Sequence, residues 1–586
     1  MASTINASTS AGLVTTADTS GVLVLQSNGT TAQTISGTAT TMAGDATING
    51  LTVGKGGGSV VSSVAFGVNA LAVSQAGAIW NTAIGSFTLA SNTTGAANSA
   101  TGYAALNQNT TGNYNSAFGR GSLSGNTTGS NNTAVGQEAL NVNTTASNNT
   151  AVGYQAGYNN TQSFNTFLGR QAGLANTTGY ITAVGTGTLA NNTTGNYNVA
   201  VGAPDSSLVS TMVSNTTGSN NTALGAGALS SNNTANNNTA VGFRALKLNT
   251  GASNTGVGVD VLGNCTGQDN TAVGINAGNN ITSGNYNTAM GSNALVNNTT
   301  AGLNTAFGYV ALQSNTTGTP NDAFGAGALQ SNTTGTYNVA IGRASLAIQT
   351  TGTRNTAVGY YALYSNTTAG SNTAVGHYAA QSNTTGSGNT CVGDYAGVFL
   401  TTGSDNICIG ALAGYNQNVG PVTTGSANIL IGRDTGLDAS SNNHCININT
   451  AGSKGKGTGT GFINPNSGGV YQGNNSSSWS TTSDQRLKKN IVDNTVGLDA
   501  ITSIRVRNFE YRLPKEVDAE LKPTDAIKRE GVQLGVIAQE LQAVLPECVK
   551  QESTGVLAVE TDNLTWYMVN AIKELKAEID TLKGTK

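Results

Sequence analysis

The 586-residue chain holds 25 Lys and Arg against 28 Asp and Glu, a formal net charge of −3, with 78 Gly and only 7 Pro. So long a chain exceeds one compact domain; its thin positive charge excludes a nucleic-acid footprint, and its scarce Pro argues against Gly-Pro disorder. Five Cys without a C-x-x-C pair and 2 His leave no zinc arrangement, so no metal or cofactor is expected. No apolar run is long enough for a bilayer, and no membrane insertion is expected.

Residues 1–60 have their own texture. Gly21–Gln26 and Ala46–Gly54 are short β-branched runs between turn residues, which predicts strands. Met1–Asn6 lacks the basic and apolar parts of a secretory leader, so synthesis in a cytoplasm is expected. The segment resembles the starts of cyanophage-type fibre proteins, whose N-terminal end faces the virion. A plain solenoid cap is the alternative.

Residues 61–450 repeat. Ala117-Phe118-Gly119, Ala134-Val135-Gly136, Ala151-Val152-Gly153, Ala357-Val358-Gly359 and Ala374-Val375-Gly376 share one frame, with a period of about seventeen residues that signals a solenoid. One unit reads Asn-Thr-Ala-Val-Gly-x-x-Ala-Leu-x-x-Asn-Thr-Thr-Gly-x-x. Thr-Ala-Val predicts a short strand, with the bulky residue before Gly as its inward anchor. Val135, Val152, Val201, Val241 and Val375 are therefore expected in one interior column. The Gly allows close backbone approach, and Ala-Leu supplies a second inward pair. Asn-Thr-Thr-Gly closes the turn, its Asn and Gly tolerating positive φ and its Thr hydroxyls bonding locally. Cys391 and Cys408 fall in the Ala slot and are expected to be buried small residues. About twenty turns at roughly 4.8 Å each make a rod on the order of 100 Å long, along which identical Asn side chains align as amide ladders. One turn has a thin core, which favours side-by-side trimerisation. The pattern is similar to the β-roll heads of trimeric bacterial adhesins, whose repeat is shorter.

Regularity breaks at Ala203–Thr217 and Asn416–Thr423, and such insertions map to loops on one face, functional or neutral. Residues 451–482, rich in Gly, Ser and Asn, predict a neck. Most of the chain's charge then falls after Ser480, which marks residues 483–586 as an ordinary α/β domain. Arg505–Tyr511 alternates as a strand, and Val536–Leu545 reads as a helix stopped by Pro546. Met568, Ile572, Leu575, Ile579 and Leu582 step by four and three as a short coiled-coil seam. The fold class expected is thus mainly β, a trimeric parallel solenoid with a C-terminal α/β domain ending in a helix.

At the junction Ser483 stands five residues before Lys488. A neutral Lys is able to activate a Ser hydroxyl, although a helix N-cap with a solvated Lys explains the pair equally. The motif Ser483-Asp484-x-Arg486-Leu487-Lys488-x-x-Ile491 resembles the opening of the intramolecular chaperone domains of phage endosialidase tailspikes and tail fibres. Phe509-Glu510-Tyr511-Arg512, Gly535-Val536-Ile537-Ala538-Gln539-Glu540-Leu541, Leu545-Pro546-Glu547 and Asn570-Ala571-Ile572-Lys573-Glu574-Leu575 extend it. The resemblance implies a domain that trimerises, guides folding of the preceding segment and cuts itself off at Thr482–Ser483, with Ser483 as nucleophile and Lys488 as base.

The resemblance makes the chain a homotrimeric fibre or tailspike of a virion, held at its N-terminal end by a phage tail or baseplate and gripping a host-surface glycan or protein receptor. A polysaccharide depolymerase is the alternative enzyme. Glycoside hydrolysis uses two carboxylates a few ångströms apart, and the rod offers only Asp205, Asp260, Asp269, Asp322, Asp394 and Asp405, of which Asp394 and Asp405 are the nearest to a pair. A bacterial surface adhesin lacks its expected leader and anchor. Tyr103, Tyr114, Tyr154, Tyr158 and Tyr197 are too scattered to mark a sugar-stacking face.

Overall fold

The computed structural model describes residues 3–8, 12–15, 22–27, 30–36, 39–41, 45–48, 51–56, 62–416, 420–449, 458–464, 470–472, 479–481, 485, 488–516, 530–551 and 556–584. The chain divides into two compact units, Met1–Thr482 and Ser483–Lys586.

Most of the first unit is a parallel β-solenoid of about 23 turns. Each turn contributes one short strand that pairs in register with its equivalents on either side: Thr133 with Thr150, Ala134 with Ala151, Val135 with Val152. The step is mostly 17 residues and sometimes 16; it lengthens to 23 and 22 at the two insertions. The hairpin of Ala46–Ile48 and Leu51–Gly54 pairs antiparallel with the first strand, Val64–Gly67. Gly461–Asn464, Val470–Gln472 and Trp479–Thr481, in the segment read above as a neck, continue the ladder of the last turn as an antiparallel meander. Both open edges of the stack are thus covered by antiparallel strands, which blunts the edge-pairing hazard of a parallel sheet. Residues 3–41 form a separate five-stranded sheet.

The expected interior column of valines is on the outside. In Thr133-Ala134-Val135 only Ala134 is buried, and Val135 is 37% exposed; Val152, Val201 and Val241 are half-exposed and Val375 is exposed. The five share one orientation, as their place in the repeat requires, but it is the outward one. Volume decides this. The inward strand slot shares its core with the fully buried Leu of Ala139-Leu140, which leaves room for Ala beside it. Phe167 occupies the slot where the neighbouring Leu positions are Gly157 and Gly173, and a Cβ on either glycine would lie 2.6 and 2.3 Å from the Phe ring. Cys391 and Cys408 fill the same slot beside Gly397 and Gly414, both buried as expected of small residues.

Burying the Leu has a backbone consequence. Leu106, Leu123 and Leu140 have φ of 50°, 51° and 52°, a left-handed state that strains an L-residue by about 1–2 kcal/mol. Burial of a Leu side chain returns roughly 1.5–3 kcal/mol, so the conformation persists turn after turn. The closing Asn-Thr-Thr-Gly turn does not use positive φ, contrary to the sequence expectation. Its Asn side chain closes it instead: the Asn126 amide nitrogen donates to Gly129 O at 2.9 Å and to the Asn109 Oδ1 of the preceding turn at 2.7 Å. The Thr hydroxyls also bond between turns, Thr110 Oγ1 donating to Thr127 O at 3.0 Å.

A second ladder of buried Asn precedes the strands. Asn115 Nδ2 donates to Asn98 Oδ1 and Gly129 O, and its own Oδ1 accepts from the Asn132 backbone N–H and Nδ2. A fully paired buried amide is stable, whereas each partner orphaned by its removal costs about 1–3 kcal/mol. The ladders falter where the repeat changes: Asn160 Nδ2 turns to Gln162 O, Asn249 Nδ2 to Gly251 O, and Leu400 takes the next Asn slot. Asn143, Asn232 and Asn383, the residues before these breaks, each keep an Oδ1 without a partner.

Candidate functional site

In the second unit, Pro546 ends helical structure as expected: Ala538–Gln542 is an α-helix and Pro546–Cys548 a single 3₁₀ turn. Arg507–Phe509, inside the predicted strand, pairs antiparallel with Gln533–Gly535. The buried core is small: Leu541, Leu545, Cys548 and Tyr567, with Ile501, Val536 and Leu564 packed around it. Polar ties reinforce it. Arg507 grips Glu540 with two hydrogen bonds of 3.1 and 2.7 Å, and this contact holds the Glu540 carboxyl below its ordinary range. The Tyr567 hydroxyl donates to Glu547 and lowers its pKa likewise.

The terminal helix, Thr561–Gly584, has two apolar faces. Tyr567 and Ala571 point into the unit, and the Leu498 N–H donates to Glu574 Oε2 at 2.5 Å. Met568, Ile572, Leu575, Ile579 and Leu582, the predicted seam, are all exposed. Thr482 and Ser483 lie outside the described residues. Lys488 is exposed, and its backbone N–H donates to Gln485 O at 3.1 Å.

The carboxylates of the rod fall into different places. Asp394 follows Gly393 in the column of Arg343, Tyr360 and His377, and accepts a 3.0 Å contact from His377 Nδ1. Asp405 belongs to the column of Arg354 and Ser371, just before the strand. The two nearest acids in sequence therefore occupy different corners of the turn. Among the described residues no cluster of three or more His, Cys, Asp or Glu is placed to hold a metal ion.

Asp205 lies in the first insertion and is buried. Its Oδ1 accepts from the N–H groups of Ser207 and Val209 at 2.8 and 3.0 Å, while Oδ2 takes Arg244 Nε at 2.8 Å. Burial raises the pKa, but the Val209, Arg244 and Ser207 hydrogen bonds outweigh it and bring the value to about 2. A carboxyl held below its ordinary value contributes stability above that value and loses it as pH falls through the lowered one. The loop is therefore expected to stay pinned at neutral and mildly acid pH and to open as pH approaches about 2. Asp205→Asn is expected to open it at neutral pH, with faster proteolysis beside the exposed Leu208 as the measurement.

One cluster escaped the sequence reading. Tyr360, Tyr361, Tyr364, His377, Tyr378 and Tyr395 gather on one corner of three successive turns. Ring centroids of Tyr361 and Tyr364 lie 4.7 Å apart, Tyr361 and Tyr378 5.5 Å, and Tyr378 and Tyr395 5.1 Å. Arg343 sits over the Tyr360 ring at 5.8 Å. The signal was present in the spacing: Tyr361, Tyr378 and Tyr395 are 17 apart, as are Tyr360, His377 and Asp394, the step of the ladder itself.

Residues 483–550 match the Peptidase_S74 family, described as chaperone of endosialidase. No curated protein and no solved structure matches the chain.

Proposed function

We propose that this chain is a homotrimeric phage tail fibre or tailspike, an adhesive rod that grips a host surface and is folded by its own C-terminal chaperone unit. The observation that carries the reading is the chaperone match beginning at residue 483, where the second compact unit also begins, behind a solenoid of about 23 turns.

The trimer follows from what one chain leaves uncovered. The outward strand residue forms an unbroken apolar column through Phe118, Val135, Val152, Leu168 and Val184 and on through Phe307, Phe324 and Ile341. One side chain wide and some twenty turns long, it presents apolar area on the order of 1,000 Å², above the roughly 300–600 Å² of a typical monomer's largest patch. Three copies packed along this column would cover it, as three terminal helices would cover the exposed seam from Met568 to Leu582. Replacing Val135, Val152 and Leu168 together by Lys is expected to yield monomers whose strand signal in circular dichroism is unchanged. Trimers retained by that variant in sedimentation would move the contact to another face.

The C-terminal unit then cuts the Thr482–Ser483 bond. Ser483 attacks the Thr482 carbonyl, the peptide becomes an ester on the Ser483 hydroxyl, and water releases two chains. Lys488 takes the hydroxyl proton, which requires its neutral form and hence shelter from solvent by the other chains of the trimer. Intact mass is expected to show a released fragment beginning Ser483-Asp484-Gln485, absent from Ser483→Ala and nearly absent from Lys488→Ala. A single full-length mass for the wild-type trimer would make the unit a retained chaperone. Finding the chain in purified virions tests the fibre reading itself.

A further inference from the structure

Tyr361, Tyr378 and Tyr395 have φ of 56°, 54° and 55°, and other turns place Gly121, Gly187 and Gly327 at this position. The left-handed backbone suits Gly and strains Tyr. The rings are partly exposed and the core beneath them is complete without them, since Ala362, Leu363 and Ala379 are fully buried. The fold thus gains nothing from three successive tyrosines here. The run is also too short to be the seam between copies, which needs a contact on every turn.

Beside the rings lies an open cleft of about 390 Å³, with Tyr309, Gln330, Ser331, Arg343, Tyr361 and Tyr364 on its walls, within the range of small-ligand sites. Among the described residues the Arg343 guanidinium has no carboxylate partner, and the Asp394 carboxylate is exposed beside His377. A sugar matches this combination. Its C–H face stacks on a tyrosine ring, while hydroxyls around its edge meet phenol, amide, guanidinium and carboxylate groups. A protein partner would ask for deeper aliphatic pockets. We propose that Tyr361, Tyr378 and Tyr395, flanked by Arg343, Tyr364 and Asp394, form a carbohydrate-binding platform. It rests on the adhesive-fibre reading for the source of the sugar, a bacterial surface polysaccharide.

The test is binding of the full-length chain to an array of purified bacterial lipopolysaccharides and capsular polysaccharides. Tyr378→Ala and Arg343→Ala are each expected to weaken the bound polysaccharide about tenfold, with melting temperature and oligomeric state unchanged, and Tyr378→Phe to keep most of the affinity. Binding that survives a Tyr361→Ala/Tyr378→Ala double variant overturns the platform, as does wild-type protein that binds no polysaccharide. A changed oligomeric state with unchanged binding overturns it too, and makes the cluster a contact between chains. Tyrosine-dependent binding by a chain absent from virions keeps the platform and removes the fibre reading.

Discussion

Gly136→Val is expected to unfold the turns on either side of it, with a loss of about 3–5 kcal/mol. Gly136 has φ of 128°, a backbone state that other residues scarcely enter. A Cβ there would lie 2.5 Å from Gly153 O and 2.7 Å from Gly153 C, and neither is the movable end of a side chain. The strand below is caught as well, because Gly119 approaches Gly136 O in the same way. Relief requires the turns to part, which breaks the 2.8 Å bond from the Gly153 N–H to Val135 O and the Asn contacts beside it. Gln137→Ala, one residue on and solvent-facing, is expected to stay within about 0.5 kcal/mol of the parent. Hydrogen exchange at Gly153 and thermal melting separate the two. A Gly136→Val protein that melts with the parent would show that the stack absorbs a Cβ at this corner.

Removing residues 483–586 is expected to abolish soluble rod assembly altogether. A solenoid slipped by one whole turn still faces Ala inward and aligns Asn with Asn, so neighbouring copies have many nearly equivalent registers. Strand pairing between distant segments is slow and leaves edges open to aggregation while it proceeds. The C-terminal unit is built to meet other copies first. Its own core holds few buried side chains, while Ile491, Val506, Val532, Leu534 and Trp566 remain exposed beside the helical seam. Association through these surfaces fixes which turn meets which before the rod closes. Sedimentation and circular dichroism of residues 1–482 expressed alone decide the matter; soluble, strand-rich trimers would show that the rod finds its register unaided.

The period, the inward Ala-Leu pair, the Asn ladders and the buried cysteines were all legible in the sequence, because repetition makes equal positions equal. The face of the strand was not. Hydrophobicity alone favours Val135 over Ala134 as the anchor. What reverses the order is the volume already taken by Leu140, and that contact is invisible until the turn is closed. The exchange of Phe167 against Gly157 and Gly173 was the available clue, three departures from the repeat that compensate one another. The tyrosine cluster was legible too, once the chain is written at its own period rather than scanned for local runs. The Ser483 and Lys488 pair came from resemblance; five residues of spacing do not place an amine beside a hydroxyl.

The ladders also decide how such a rod bears load. Every bond between turns points along the stacking direction, so a pull on its two ends stretches all the bonds of one junction at once and the junctions one after another. Tensile strength is then that of the weakest junction, whatever the average. The junctions after Asn143, Asn232 and Asn383, each with an unpaired Oδ1, are where a stretched molecule is expected to yield first, at fixed points along its length. Filling the third with Leu400→Asn, which restores the missing amide to the column, is expected to raise the force at which that point gives way.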